Sequence, residues 1–70
     1  MKMNIEDHIT GKGDHEEVNI EGAPISVLAL KNLLAEGYTF LQPYKENNTF
    51  SVWGKTCSAC FTAEQIRERA

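Results

Sequence analysis

The fold is decided by residues 26–53, which read SVLALKNLLAEGYTFLQPYKENNTFSVW. Ser26 is a typical helix N-cap, because its hydroxyl can accept a backbone amide of the first turn. Apolar residues then recur at helical spacing, and Gly37 is expected to end the helix in a left-handed conformation. The first part of the stretch therefore predicts one amphipathic helix. Its core stripe is Val27, Leu30, Leu33 and Leu34, and Leu28 projects away from that stripe.

From Tyr38 the apolar period changes to two, which is typical of strands. The run Glu46-Asn47-Asn48-Thr49 predicts a turn, so the stretch continues as a hairpin. Pro43 lacks an amide donor and places its strand at an edge or an end. We expect the face towards the helix to carry Phe40, Phe50 and Val52. The opposite face is then expected to carry Leu41, Tyr44 and Trp53.

The flanking sequence adds a strand before this stretch and a helix after it. Residues 18–21 alternate between apolar and polar, and Gly22-Ala23-Pro24 is expected to end that strand. The run Thr62-Ala63-Glu64-Gln65 is a capping-box pattern that begins a closing helix. Together these elements predict a small two-layer α+β domain, β-α-β-β-α, over residues 18–70. Its one amphipathic helix would pack on a short, mostly antiparallel sheet, and residues 1–17 would form a polar, acidic, mobile arm.

Size and charge limit the function. The chain has 70 residues, enough for one domain with a marginal core. Residues 1–21 hold six acidic residues against two lysines, whereas residues 22–70 hold four acidic residues against five basic ones. The net charge of −3 argues against nonspecific nucleic-acid binding, which needs clustered Lys and Arg. The longest apolar run is Val27–Leu30, so neither a membrane span nor a signal peptide is predicted, and we expect a cytoplasmic protein.

Cys57-Ser58-Ala59-Cys60 is the one recognisable reactive motif. A C-x-x-C pair can be a redox dithiol, half of a metal site, or two small buried side chains. Thioredoxin-like enzymes carry a long α/β body behind the pair, whereas only ten residues follow Cys60 here. The other metal-ligand candidates, His8 and His15, are seven residues apart and are expected to be solvent-exposed. We therefore predict no cofactor and keep Cys57 and Cys60 as weak metal candidates.

Residues 30–38, LKNLLAEGY, and the hairpin after them locally resemble the last helix and wing of winged-helix DNA-binding domains. The resemblance covers Leu30 to Trp53 and implies a DNA-binding regulator as an alternative function. Two helices precede the recognition helix in that family, but residues 1–25 do not predict them. The candidate recognition helix offers Lys31 as its base, and the wing offers Lys45 and Lys55.

The sequence shows no catalytic constellation, so we predict a non-enzymatic protein-binding module that regulates or inhibits a larger protein. The partner would be another protein or a second copy of the chain, rather than a nucleic acid, a membrane or a small-molecule substrate. The acidic residues of the arm would steer a basic partner. The residues predicted to contact the partner are Leu28, Leu41, Tyr44 and Trp53.

Overall fold

The computed structural model describes residues 2–20, 22–44 and 48–70. In chain order the elements are β1 (Met3–Asn4), α1 (Ile5–Ile9), β2 (Glu17–Ile20), β3 (Ala23–Ser26), α2 (Val27–Ala35), β4 (Phe40–Tyr44), β5 (Thr49–Trp53), β6 (Ser58–Thr62) and α3 (Ala63–Arg67). Four strands form an antiparallel sheet in the order β1-β4-β5-β6, and β2 pairs with β3 in a separate sheet. The predicted α+β class is confirmed, whereas the two-layer arrangement stays a prediction.

Helix α2 begins and ends where the sequence predicts. The Ser26 hydroxyl accepts a hydrogen bond from the amide of Ala29 at 3.1 Å, which satisfies one of the free donors of the first turn. Gly37 has a φ of 108°, the left-handed conformation that follows many helix ends. The helix is held through its apolar face. The buried residues of α2 are Val27, Ala29, Leu30 and Leu33.

Helix α3 begins with the predicted capping box. The Thr62 hydroxyl accepts the amide of Gln65 at 3.1 Å, and the Gln65 side-chain oxygen accepts the amide of Thr62 at 2.9 Å. Just after the helix, the Arg69 guanidinium lies 4.1 Å from the centre of the Phe61 ring and 2.7 Å from a Glu36 carboxylate oxygen. The end of the chain is thereby fixed against the loop after α2.

The N-terminal segment differs from the expected mobile arm. Residues 3–4 pair with β4, and the following helix α1 buries Ile5 and Ile9 in the core. The four-residue spacing of these two isoleucines places both on one side of a single helical turn. Asn4 caps that turn, because its side-chain oxygen accepts the amide of Glu6 at 3.0 Å. The prediction of an arm was therefore wrong for residues 3–9, whereas residues 10–17 are exposed.

The first predicted strand ends before Gly22 as expected, but the chain then forms a second strand that was not predicted. Gly22 has a φ of 88° and forms the turn, but residues 23–26 continue as β3 and pair with β2. Pro24 is exposed in this two-stranded ribbon, where a missing amide can face solvent.

The register of the β4–β5 hairpin reverses the expected faces of β4. Leu41 lies opposite Val52, and Phe40 lies opposite Trp53. Directly opposite residues of paired strands share a face. Leu41 is 0% exposed in the core beside Val52 and Phe50, whereas Phe40 lies on the other side of the sheet with Trp53. Leu41 was thus wrongly predicted to contact a partner.

One cluster of buried residues joins the helices to one face of the four-stranded sheet, here called the inner face. That cluster is Ile5, Ile9, Ile20, Ala23, Ile25, Val27, Ala29, Leu30, Leu33, Leu41, Phe50, Val52, Ala63 and Ile66. In the described parts of the chain, no helix is both long and apolar enough to cross a membrane.

Candidate functional site

The opposite side of the four-stranded sheet, here called the outer face, is the candidate site. Alternation along the strands and the pairing register define its members. Over the described side chains of β4, β5 and β6 they are Phe40, Gln42, Thr49, Ser51, Trp53, Ser58, Cys60 and Thr62. Neither Phe40 nor Trp53 belongs to the buried cluster or packs against it. The described helices therefore direct their buried side chains to the inner face, and neither outer-face aromatic residue packs against that core.

Two aromatic rings lie at one end of the outer face. The rings of Phe40 and Trp53 are stacked, with centroids 5.8 Å apart and an angle of 23° between their planes. The Lys2 ammonium lies 5.0 Å from the centre of the Phe40 ring, within the range of a cation–π interaction. Both rings are half-buried, so the pair presents a preformed apolar surface with a cation at its margin.

Trp53 lines two open depressions at one end of the outer face. One has a volume of about 480 Å³ and is lined on the β4 side by Thr39 and Phe40. The other has a volume of about 600 Å³ and is lined on the β6 side by Ser51 and Ser58. Trp53 therefore borders two open depressions at this end of the face.

The end of β5 is held in place by a close contact with the loop after α2. Gly54 donates its amide to the Cys57 carbonyl at 2.8 Å. A Cβ atom on Gly54 would overlap the carbonyl oxygen of Gly37, so a residue with a side chain does not fit without backbone movement. The Cys57 thiol lies 3.7 Å from that same oxygen. These contacts position the turn that lines both depressions beside Trp53.

The charges of the outer face differ from those of the whole chain. The protein carries a net charge of −3, yet none of the outward-facing residues described on β4, β5 and β6 is acidic. Two lysines border the face: Lys2 over the Phe40 ring and exposed Lys55 in the turn beside Trp53. This surface is therefore suited to a partner that offers an apolar centre and nearby acidic groups.

The acidic residues of the described chain lie outside this face, on helices, on loops and, for Glu17, on β2 of the separate sheet. Asp14 forms an exposed ion pair with Lys31 of α2 at 2.6 Å. This hydrogen bond, together with the positive charge of Lys31, lowers the pKa of the Asp14 carboxyl below its ordinary value. The pair joins the loop before β2 to the exposed side of α2.

The structure does not bring the four predicted contact residues together. Trp53 lies on the outer face, whereas Leu41 is buried on the inner face. Leu28 is half-buried on α2, on the helix side that also carries Lys31 and Ala35, so it does not adjoin Trp53. The side chain of Tyr44 lies outside the described part of the structure.

The sequence analysis did not place Phe40 on the outer face, although the number of residues in the β4–β5 loop indicates that position. Four residues, 45–48, separate the paired ends Tyr44 and Thr49. An even number of loop residues places even-numbered positions of one strand opposite odd-numbered positions of the other. Trp53 therefore shares its face with Phe40.

The two cysteines are free and have different surroundings in this fold. Cys60 is exposed on the outer face, whereas half-buried Cys57 precedes β6 and lies against Gly37. Within residues 2–20, 22–44 and 48–70, no cluster of three or more His, Cys, Asp or Glu side chains could hold a metal ion. His8 and His15 are exposed, as predicted.

The resemblance to winged-helix domains is limited to α2 and the hairpin after it. α2 is preceded by the β2–β3 ribbon and by α1, which has five residues, where that family has two further helices. Lys31 of the candidate recognition helix is engaged by Asp14. The described fold thus departs from the winged-helix order.

Comparison with known proteins yields no relative from which a function could be carried over. No protein-family model, curated protein or solved structure matches this chain. The functional argument therefore depends on the residues and geometry described above.

Proposed function

We propose that this chain is a non-catalytic, cytoplasmic protein-binding module that regulates or inhibits a larger protein through its outer face. The main support is the stacked pair of Phe40 and Trp53, which is half-buried on a sheet face that takes no part in the core. Solvated sheet faces normally carry polar residues, and Trp is enriched among the residues that dominate binding energy. The partner surface complementary to this face has an apolar centre and acidic groups that reach Lys2 and Lys55.

The proposal is tested first by site-specific photocrosslinking from the outer face. A benzophenone amino acid at Ser51, beside Trp53, should capture one protein partner from a cytoplasmic extract. The matched control carries the same amino acid at Glu17, an exposed position on β2 in the separate sheet. A partner captured equally from both positions, or no partner captured from Ser51, would contradict the proposal.

The captured protein is then purified and titrated against the wild type and Trp53→Ala. We expect the substitution to weaken binding by about thirtyfold, since truncation of a central aromatic residue commonly costs about 2 kcal/mol or more. Thermal unfolding followed by circular dichroism checks that the variant is still folded. A folded Trp53→Ala variant that binds with unchanged affinity would place the interface elsewhere.

A further inference from the structure

The two edges of the four-stranded sheet are protected to very different degrees. At one edge, the short strand β1 covers part of β4. The Ile5 amide donates to the Thr39 carbonyl at 3.0 Å, which shows which β4 residues direct their backbone groups towards β1. By the alternation of an antiparallel ladder, the backbone groups of Leu41 and Pro43 point away from β5. β1 pairs with Phe40 and Leu41, and Pro43 beyond it has no amide to offer. This edge is blocked by a short strand and by a proline, which are common protecting devices.

The β6 edge lacks those devices. The Gly54 amide donates to the Cys57 carbonyl at 2.8 Å, and the Ala63 amide donates to the Asn48 carbonyl at 3.0 Å. These bonds show that residue 54 pairs with 57, and residue 48 with 63, as hydrogen-bonded pairs of the β5–β6 ladder. Because hydrogen-bonded and non-hydrogen-bonded pairs alternate, Ser58, Cys60 and Thr62 direct their backbone groups away from β5. The sequence of β6, SACFT, contains neither a charged residue nor a proline.

Two of these three outward residues have an amide that no described residue accepts. The Thr62 amide already donates to the Gln65 side chain in the capping box. The amides of Ser58 and Cys60 have no hydrogen-bond partner among the described residues. An incoming strand can therefore exchange backbone hydrogen bonds with Ser58 and Cys60 without breaking the cap of α3.

We propose that this edge pairs with β6 of a second copy of the chain, in an antiparallel dimer with Ser58 opposite Cys60 of the second copy. The two-fold axis then passes beside Ala59, and the two chains exchange four backbone hydrogen bonds. A register with Cys60 opposite itself would place Ser58 opposite Thr62, whose amide is occupied. The pairing is isologous and closed, and it continues the sheet across both copies with the two outer faces on one side.

The charges at the two ends of β6 favour the antiparallel arrangement. Exposed Lys55 precedes β6, and exposed Glu64 lies in the first turn of α3 directly after it. Neither forms an ion pair with another described residue. In the antiparallel arrangement the β5–β6 turn that carries Lys55 approaches the start of α3 of the second copy, which carries Glu64. Parallel pairing would instead bring Lys55 close to its own counterpart.

The dimer is tested by sedimentation equilibrium of the full chain under reducing conditions, which excludes a disulfide through Cys60. We expect the wild type to form a species of twice the 7.9 kDa chain mass. Cys60→Pro removes an outward amide as Pro43 does, and should raise the dimer Kd at least about thirtyfold, because two hydrogen bonds are lost by symmetry. The matched control Cys60→Ala retains the amide and should dimerise like the wild type.

A charge exchange keeps the proposal testable if Cys60→Pro does not fold. Lys55→Glu should raise the dimer Kd by about tenfold, since two symmetry-related contacts become repulsive. Adding Glu64→Lys to that variant should restore the wild-type Kd to within about threefold. A wild-type chain that stays monomeric at millimolar concentration would overturn the proposal. So would a dimer that neither Cys60→Pro nor Lys55→Glu weakens.

Discussion

Phe40 and Leu41 are neighbours in β4, yet they belong to opposite faces of the same sheet. Leu41 is 0% exposed and contacts the cluster formed with the helices. Phe40 is half-buried and stacks on Trp53, on the face that carries hydroxyl, amide and thiol side chains. The inner face therefore forms the core, whereas Phe40 and Trp53 on the outer face take no part in it.

The difference shows that residue type alone does not decide which face is buried. A phenylalanine and a leucine are equally suited to a core, and both faces of the hairpin offer aromatic residues. The choice is made by the register, because a shift of one residue would exchange the two faces of β4. The pairing of Leu41 with Val52 places two aliphatic side chains opposite each other in the core.

Among substitutions on the two faces, Leu41→Ala should have the largest effect on the free energy of unfolding. The substitution should lower the free energy of unfolding by about 2–5 kcal/mol, because it leaves a cavity between the sheet and the helices. That loss is a large part of the stability of a small domain. Urea unfolding followed by far-ultraviolet circular dichroism measures it.

The matched control is Phe40→Ala at the adjacent position. It should cost less than about 1.5 kcal/mol, since it removes an aromatic stack on the surface and leaves the buried cluster complete. A larger loss from Phe40→Ala than from Leu41→Ala would mean that the hairpin pairs in the other register.

Gly54→Ala tests whether both faces depend on the close contact at the end of β5. The added Cβ overlaps the Gly37 carbonyl oxygen, so the backbone must move, at an expected cost of about 1–3 kcal/mol. The fluorescence of neighbouring Trp53 should change in the folded variant, because the turn beside it shifts. Gly13→Ala is the control, since its Cβ would make only an ordinary 3.7 Å contact with Glu16. Equal stability of the two variants would show that the contact at Gly54 is not restrictive.

The features that the sequence predicted correctly are those that depend on neighbouring residues. The Ser26 cap and the Thr62–Gln65 capping box join groups three residues apart, so the local pattern is enough to identify them. Gly37 is likewise a local signal, because a left-handed helix end favours glycine.

The features that were missed depend on distant contacts. α1 has five residues and is too short to be stable alone, so it forms because Ile5 and Ile9 are buried against the rest of the core. β3 contains a proline and is recognised only through its pairing with β2. Predicting the members of the outer face depends on whether the β4–β5 loop has an even or an odd number of residues. Predicting the open edge at β6 depends on hydrogen bonds between strands, which no local pattern specifies.

Asp14→Asn gives the smallest expected effect and concerns a contact away from both faces of the four-stranded sheet. The pairing with Lys31 lowers the pKa of Asp14 in the folded protein. The stabilisation from this ion pair is therefore fully present when the pH is above the pKa that Asp14 has in the unfolded chain. It is lost as the pH falls through the lower folded value. The stability difference between wild type and Asp14→Asn should therefore shrink on acidification below about pH 4, and salt should also reduce it because the pair is exposed. Urea unfolding of both proteins at several pH values measures this difference. A difference that stays constant down to the acid limit would mean that the Asp14 charge does not stabilise the contact between the loop before β2 and α2.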